Sequence, residues 1–166
     1  MGFIINPYSF GGITILSTVT TSTTVTANLT AVPYFRCGNK FATGHVIIGL
    51  TVKQVIIDLK RTGSPAGTAY VRAYNSSGVQ QFEFGSINVS TISTSKTSYT
   101  FTNLTGYTMN NGDIIAIAHD AGTRDLSNFI GIHGTSGGTD ANVNEVVYNG
   151  TFLDDSPADM YMVLYG

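Results

Sequence analysis

Three histidines and one acidic loop are the residues of this sequence best suited to chemistry. His45, His119 and His133 are its only imidazoles. A zinc site wants ligands at close spacing, such as i and i+2 with a third nearby, and none of the three stands so. His119 and His133 would meet only if the strands that carry them pair. The loop HDAGTRDLSN (119–128) holds Asp120, Asp125 and Asn128, weak candidates for calcium, which takes oxygen ligands. The same residue types also bond their own backbone in solvated turns. Asp154-Asp155 is open to the same two readings, and it lacks the EF-hand pattern. No metal and no other cofactor is expected.

Other reactions find less. Serines are abundant, but no Gly-x-Ser-x-Gly elbow is present. Glycoside hydrolysis needs two carboxylates facing across a cleft; Glu83, Glu145 and the aspartates include no pair that the sequence brings together. Gly134 to Thr139 lacks the lysine and helix of a phosphate loop. No catalytic residue is assigned, and the chain is expected not to be an enzyme. Sugar binding by stacking on exposed aromatics stays open. There is no Trp, the best platform, so Tyr70, Tyr74, Tyr107 and Tyr148 are the candidate glycan contacts, with Tyr34 beside them; a core or interface place is the favoured reading of each.

The elements that would position these residues read as strands. In Val55 to Asn75, Val55, Ile57 and Leu59 share one face, and Ala69, Val71 and Ala73 share one face of the next strand. Side chains alternate across a strand, so this period of two describes half-buried sheet. Gly63-Ser64-Pro65-Ala66-Gly67 turns the chain between them. From residue 31 onward the spacing predicts strands over Phe35–Ala42, His45–Leu50, Lys53–Arg61, Thr68–Asn75, Val79–Phe84, Ser98–Asn103, Asp113–His119, Asn128–His133, Glu145–Asn149 and Asp159–Tyr165. Ile87–Ile92 reads as strand or loop, and Gly134–Asn144 as a glycine-rich loop. DIIAIAH (113–119) is the most apolar run and should be central. No stretch keeps a helical period. Short strands at roughly ten-residue spacing imply an antiparallel sandwich or barrel. In MYMVLYG (160–166), Met160, Met162 and Leu164 should line the core, which leaves Tyr161, Val163 and Tyr165 an apolar face in need of cover.

Residues 1–30 differ. Phe3, Ile4, Ile5, Tyr8 and Phe10 crowd the opening, and Ser17 to Thr30 carries no charge. Threonine favours extended backbone. This segment is expected to be an extended arm or edge segment, with an ordinary first strand as the alternative; residues 31–166 form the domain. The opening has no basic start or long apolar run, so synthesis and folding in a cytoplasm are expected.

Composition narrows the partners. Of the 166 residues 11% are charged, against roughly 25% in typical soluble proteins. A net charge of -2 without a basic block points away from nucleic acid and from membrane surfaces. Cys37 is alone, which rules out an intrachain disulfide and suits a small buried apolar residue. Five Asn-x-Ser/Thr triplets, from Asn28, Asn75, Asn88, Asn103 and Asn149, follow from the composition.

The run LKRTGSPAGTAYVRAYNSSG (59–78) resembles a jelly-roll β-sandwich module of phage virion proteins that also recurs in extracellular proteins of bacteria and archaea. GSINVSTISTS (85–95) is similar to that family's Ser/Thr-rich link. Thr100-Phe101-Thr102 followed by MNNGDIIAIAHD (109–120), then SNFIGIHG (127–134) and MYMVLYG (160–166), match in order, so the resemblance covers about 35 to 166. The opening GFIINPYSFGG is similar to the first residues of phage structural proteins. The resemblance implies an all-β antiparallel jelly roll of about 8–10 strands with an extended N-terminal arm. It also implies a virion protein assembled in the host cytoplasm: a capsid cement or decoration protein, or a tail or neck protein. Its partners would be the major capsid protein and its own copies, with a homotrimer favoured. Phe3, Ile4, Ile5, Tyr8 and Phe10 are the expected interface residues. A carbohydrate-binding module of a tail fibre or cell-surface protein is the alternative, and the family supplies no catalytic residues.

Overall fold

The computed structural model describes residues 14–19, 24–30, 35–136, 140–148, 150–154 and 158–166. Two antiparallel sheets pack face to face as an all-β sandwich. The first sheet is built on β4 (Thr51–Thr62). Along one side of β4 runs β7 (Thr97–Thr108). Along the other, β13 (Met162–Tyr165) pairs the first half of β4, and β9 (Phe129–Ser136) pairs the second half. Where β4 and β9 diverge, the closing segment fills the fork: β12 (Ala158–Met160) pairs β9, the chain breaks step at Tyr161, and β13 pairs β4. β1 (Ile15–Val19) lies along β13, and β2 (Thr24–Leu29) lies along β9.

The second sheet sets β8 (Ile114–Ala118) between β3 (Arg36–Phe41) and β5 (Thr68–Tyr74). β10 (Val143–Tyr148) and β11 (Phe152–Asp154) extend it past β3, and β6 (Gln80–Asn88) extends it past β5. All five residues of β8 are buried, as its apolar run requires of a central strand.

The core lies between the sheets. Ile57, Leu59, Val71, Ile117 and Ile132 are fully buried there. Alternation accounts for most of it. Val52 and Val55, three apart, both face inward because a register shift between Val52 and Gln54 resets the phase of β4. Met160, Met162 and Leu164 join the core, while Tyr161 and Tyr165 stay half-buried on the outer face. A buried polar group joins the two sheets across the core. Asn39 of β3 is buried, and its side chain donates to the Met160 carbonyl at 2.7 Å and accepts from the Met160 N–H at 2.8 Å. The amide thus supplies both hydrogen bonds that a neighbouring strand would give.

Several boundaries differ from the sequence reading. His45–Leu50, expected as a strand, is a run of turns closed by bonds such as Ile48 N–H to the His45 carbonyl. It drops Ile47 into the core and leaves Val46 and Leu50 exposed. Gly134, Thr135 and Ser136, expected in a loop, belong to β9, because β2 and β12 pair there on its two sides. Ile87–Ile92 divides: β6 runs to Asn88, whose side chain caps a 3-10 turn over Val89–Thr91. β7 runs well past Asn103, and thirteen strands are described because short pieces such as β11 and β12 add to the long ones. Residues 1–13, which include Phe3, Ile4, Ile5, Tyr8 and Phe10, lie outside the described residues.

Replacing Asn39 by Ala would strand a buried N–H and a buried carbonyl at once. Asn39→Ala is expected to cost about 2–4 kcal/mol, read as a lower urea midpoint at unchanged slope. A loss within the scatter of ordinary surface substitutions would remove the amide from this role.

Candidate functional site

The densest meeting of charged and aromatic side chains lies on the outer face of the second sheet. Alternation sends Arg36, Gly38 and Lys40 of β3 outward, because Cys37 and Phe41 face the core. The same rule sends out Tyr70, Arg72 and Tyr74 of β5, Ile114, Ala116 and Ala118 of β8, and Val146 and Tyr148 of β10. Registers then set these residues in rows: Arg36, Ala118 and Tyr70 in one, Gly38, Ala116 and Arg72 in the next.

Small residues make the floor of this face. A Cβ on Gly38 would stand 2.0 Å from the Ile115 carbonyl oxygen and 2.8 Å from the Ala116 Cβ, so only glycine fits. Above the floor Tyr74, Ile114, Ala116 and Val146 form a second small core with Phe152 packed against it. Phe152 meets Tyr74 and Tyr148 edge-on, at 4.9 and 5.2 Å between centroids, a favoured aromatic geometry. The Arg36 guanidinium sits among rings, 4.3 Å from the centroid of Tyr148, 5.2 Å from Phe35 and 5.5 Å from Tyr74. Arg72 lies 4.0 Å from the centroid of Tyr70.

One carboxylate joins the two arginines. Asp120 accepts from Arg36 Nε at 2.8 Å and from Arg72 Nη1 at 2.9 Å, and Arg72 Nε donates to Glu83 at 2.9 Å. Burial opposes the charge on Arg36 and Arg72, but the bonds to Asp120 and Glu83 outweigh it and raise both pKa values. Arg124 lies over Phe35; burial lowers its pKa, and Asp120 offsets part of that. Burial also raises the Tyr74 pKa, against the pull of Arg36. This is a cation–aromatic cluster in which both oxygens of its bridging acid are engaged by guanidinium groups.

The residues singled out from the sequence fall as follows. Tyr70, Tyr74 and Tyr148 meet on this face, with Tyr74 1% exposed. Tyr107 belongs to β7: it stacks on Phe82, and its hydroxyl donates to Asp113 at 2.8 Å. Burial and that bond push its pKa up to about 12. Asp120 bridges the arginines. Asp125 accepts from the Ser127 and Asn128 N–H groups and from the Asn128 carboxamide; the Asn128 side chain lowers its pKa first, and the Ser127 N–H adds to this. Asn128 in turn accepts from the Ser64 N–H at 2.8 Å, docking this loop on the β4–β5 turn. Gly63 makes that approach: its φ is +64°, and a Cβ there would stand 2.2 Å from the Ser127 carbonyl oxygen. Among the described residues no group of three or more His, Cys, Asp or Glu side chains could hold a metal ion. Glu83 faces outward beside Arg72, whereas Glu145 is buried on the core side and accepts from Cys37 Sγ at 3.5 Å.

The histidines occupy three separate environments. His45 ties β1 to the β10 approach: Nε2 is 3.3 Å from Ser17 Oγ and 3.5 Å from Asp140, while Nδ1 accepts from the Ile47 N–H. His119, at the end of β8, directs Nε2 to the Ala66 carbonyl at 3.0 Å. His133 lies in β9 of the other sheet, so the pairing that would have joined it to His119 does not form. The residues that the sequence reading missed are Arg36, Arg72, Phe35 and Phe152. The alternation of Tyr70, Arg72 and Tyr74 was the available signal; the convergence of β3, β5 and the 119–124 loop was not visible along the chain.

No family model matches this chain, and no curated protein or solved structure matches it either.

Two outcomes follow from these contacts. Asp120→Asn keeps the shape but removes the charge between two guanidiniums, and it is expected to cost about 1–3 kcal/mol in chemical denaturation, with less than additive loss when combined with Arg72→Gln. The pH dependence has a definite sign. Burial first of all lowers the pKa of His45, His119 and His133 below the ordinary 6.5. The unfolded chain therefore binds these protons more readily, so their contribution is complete above pH 6.5 and is lost as pH falls below it. The melting temperature should drop between pH 7 and pH 5, and less so in His119→Gln.

Proposed function

We propose that this chain is a non-enzymatic structural protein of a phage particle, a jelly roll of the cement or decoration class, which stabilises the particle through contacts with the major capsid protein and with its own copies. The observation that carries this reading is the outer face of the first sheet. In register across four strands stand Thr18, Val163, Ile56 and Thr100, and beside them Ile15, Tyr165, Gln54 and Thr102. Neither row contains a charge, and Ile15 is 59% exposed. Interface cores are depleted of charged residues in this way, and many weak contacts on a lattice add through avidity. The likeness of 59–78 and the later segments to virion sandwiches supports the same assignment, as does the apolar opening at residues 3–10.

The sugar-binding alternative has less support. Tyr74 is buried, and guanidinium groups already lie over rings of Tyr148 and Tyr70.

The test is a truncation. Removing residues 1–12 spares every described strand, so the shortened chain should keep its circular dichroism and a cooperative thermal transition. The full chain should run as an oligomer, a trimer in the favoured case, and the shortened chain at a lower mass. An unfolded truncation would place the segment in the fold, and an unchanged oligomer would remove it from assembly. Finding the protein in purified virions by mass spectrometry is the companion measurement.

A further inference from the structure

We propose that β7 is a self-pairing edge, at which a second copy adds its own β7 antiparallel across a twofold axis centred on Thr100. This rests on the assembly reading above and names one of its contacts.

A sheet edge offers unpaired main-chain N–H and carbonyl groups, and proteins usually blunt it with charge, proline, bulges or brevity. The other described edges carry such devices. β11 and β12 have three residues each, β1 five and β2 six. β1 also has a register shift against β13. β6 is longer, but it shifts register twice against β5 and carries Glu83. β7 has none of these over its first half. It is twelve residues long, TSYTFTNLTGYT, without charge or proline, and among the described residues it pairs with β4 alone. The register from Gln54↔Thr102 to Leu59↔Thr97 is unbroken. The irregularity comes only beyond it, where Asn103–Gly106 swells opposite Lys53.

This regular stretch is self-complementary. Antiparallel pairing about Thr100 sets Thr100 against its copy, Ser98 against Thr102, and Tyr99 against Phe101. Hydroxyl residues then meet on the outer face and aromatic residues on the core side, both favourable cross-strand pairs. No charge stands opposite a like charge: Lys96 lies beyond the strand, 3.2 Å from Asp58 of its own chain. Ser98, Thr100 and Thr102 are exposed on the outer face, while β6 lies on the core side of β7, where Asn103 donates to the Glu83 carbonyl. The joined sheets would continue the uncharged Thr100 and Thr102 rows across two copies, with the Asp58–Lys96 pair beside them.

Three variants test the axis. Thr100→Lys sets two like charges directly opposite each other and should halve the mass in solution while leaving the circular dichroism unchanged. Thr100→Cys brings two thiols within disulfide reach in either class of antiparallel pair, so mild oxidation should give a dimer band on a non-reducing gel. Thr102→Cys, whose copy lies away from it in this register, should not cross-link. Wild type should give no band, since Cys37 is buried. If the full chain is oligomeric but Thr100→Lys keeps its mass and Thr100→Cys fails to cross-link, the edge is overturned while the assembly reading stands. A full chain that stays monomeric at high micromolar concentration overturns the edge; the truncation and the virion measurement then decide the assembly reading on their own.

Discussion

A single buried carboxamide joins the two sheets at the point where the closing strand changes partner. Asn39 reaches from β3 to both main-chain groups of Met160, the last residue of β12. There the chain must leave β9 and pass to β4, so its backbone groups have no strand beside them in the ordinary ladder. An unpaired backbone group away from water costs as much as a lost hydrogen bond or more. The amide removes that cost and fixes which residue sits at the crossing. Met160, Met162 and Leu164 thereby point inward together, although the strand is broken at Tyr161 between the first two. The fork of β4 and β9 and the place of β1 beside β13 are set where that strand is pinned.

The second sheet solves a different problem, that of covering an outer face with few charges. It does so with a thin second core. Gly38 and Ala116 bring the floor close to the backbone, Phe152 lies against it, and Arg36 spreads its guanidinium among three rings. Guanidinium is weakly hydrated and planar, and so it packs on aromatic faces as lysine would not. Asp120 then binds Arg36 and Arg72 together, which ties the 119–128 loop to the sheet at one end, while Asn128 ties it to the β4–β5 turn at the other. The residues that looked most like metal ligands are thus fasteners of a loop.

The period of two made most of the fold legible. Val55, Ile57 and Leu59 against Ala69, Val71 and Ala73 gave the core faces of β4 and β5, and DIIAIAH gave the central strand. The misreadings have local causes. His45–Leu50 alternates well enough to pass for a strand, yet its backbone bonds close three residues back, and Gly49 takes a φ of +83°. Gly134 suggested a loop, because nothing along the chain reveals that β2 and β12 pair on either side of it. The site was less legible for a general reason. Arg36, Tyr74, Asp120 and Tyr148 are far apart in sequence, and their meeting depends on the order of β10, β3, β8 and β5, which no local pattern encodes.

Charge placement connects the fold to the proposed role. With 11% of residues charged, the protein has few ions to distribute. Several of them are used inward or pairwise: Arg36, Arg72, Asp120 and Glu83 on one sheet, Asp58 with Lys96 and Ser98 on the other. Each such pairing removes a charge from the surface that would otherwise stay hydrated and oppose close contact. What remains over the first sheet, beside Lys60 and the paired Asp58, is an area of hydroxyl, aliphatic and tyrosine side chains. A protein that must remain a free monomer is better served by charges spread over its surface and a net charge far from zero. A protein that must lie flat against copies and companions is better served by this arrangement, in which ions are paired with one another and rows of neutral residues are left beside them.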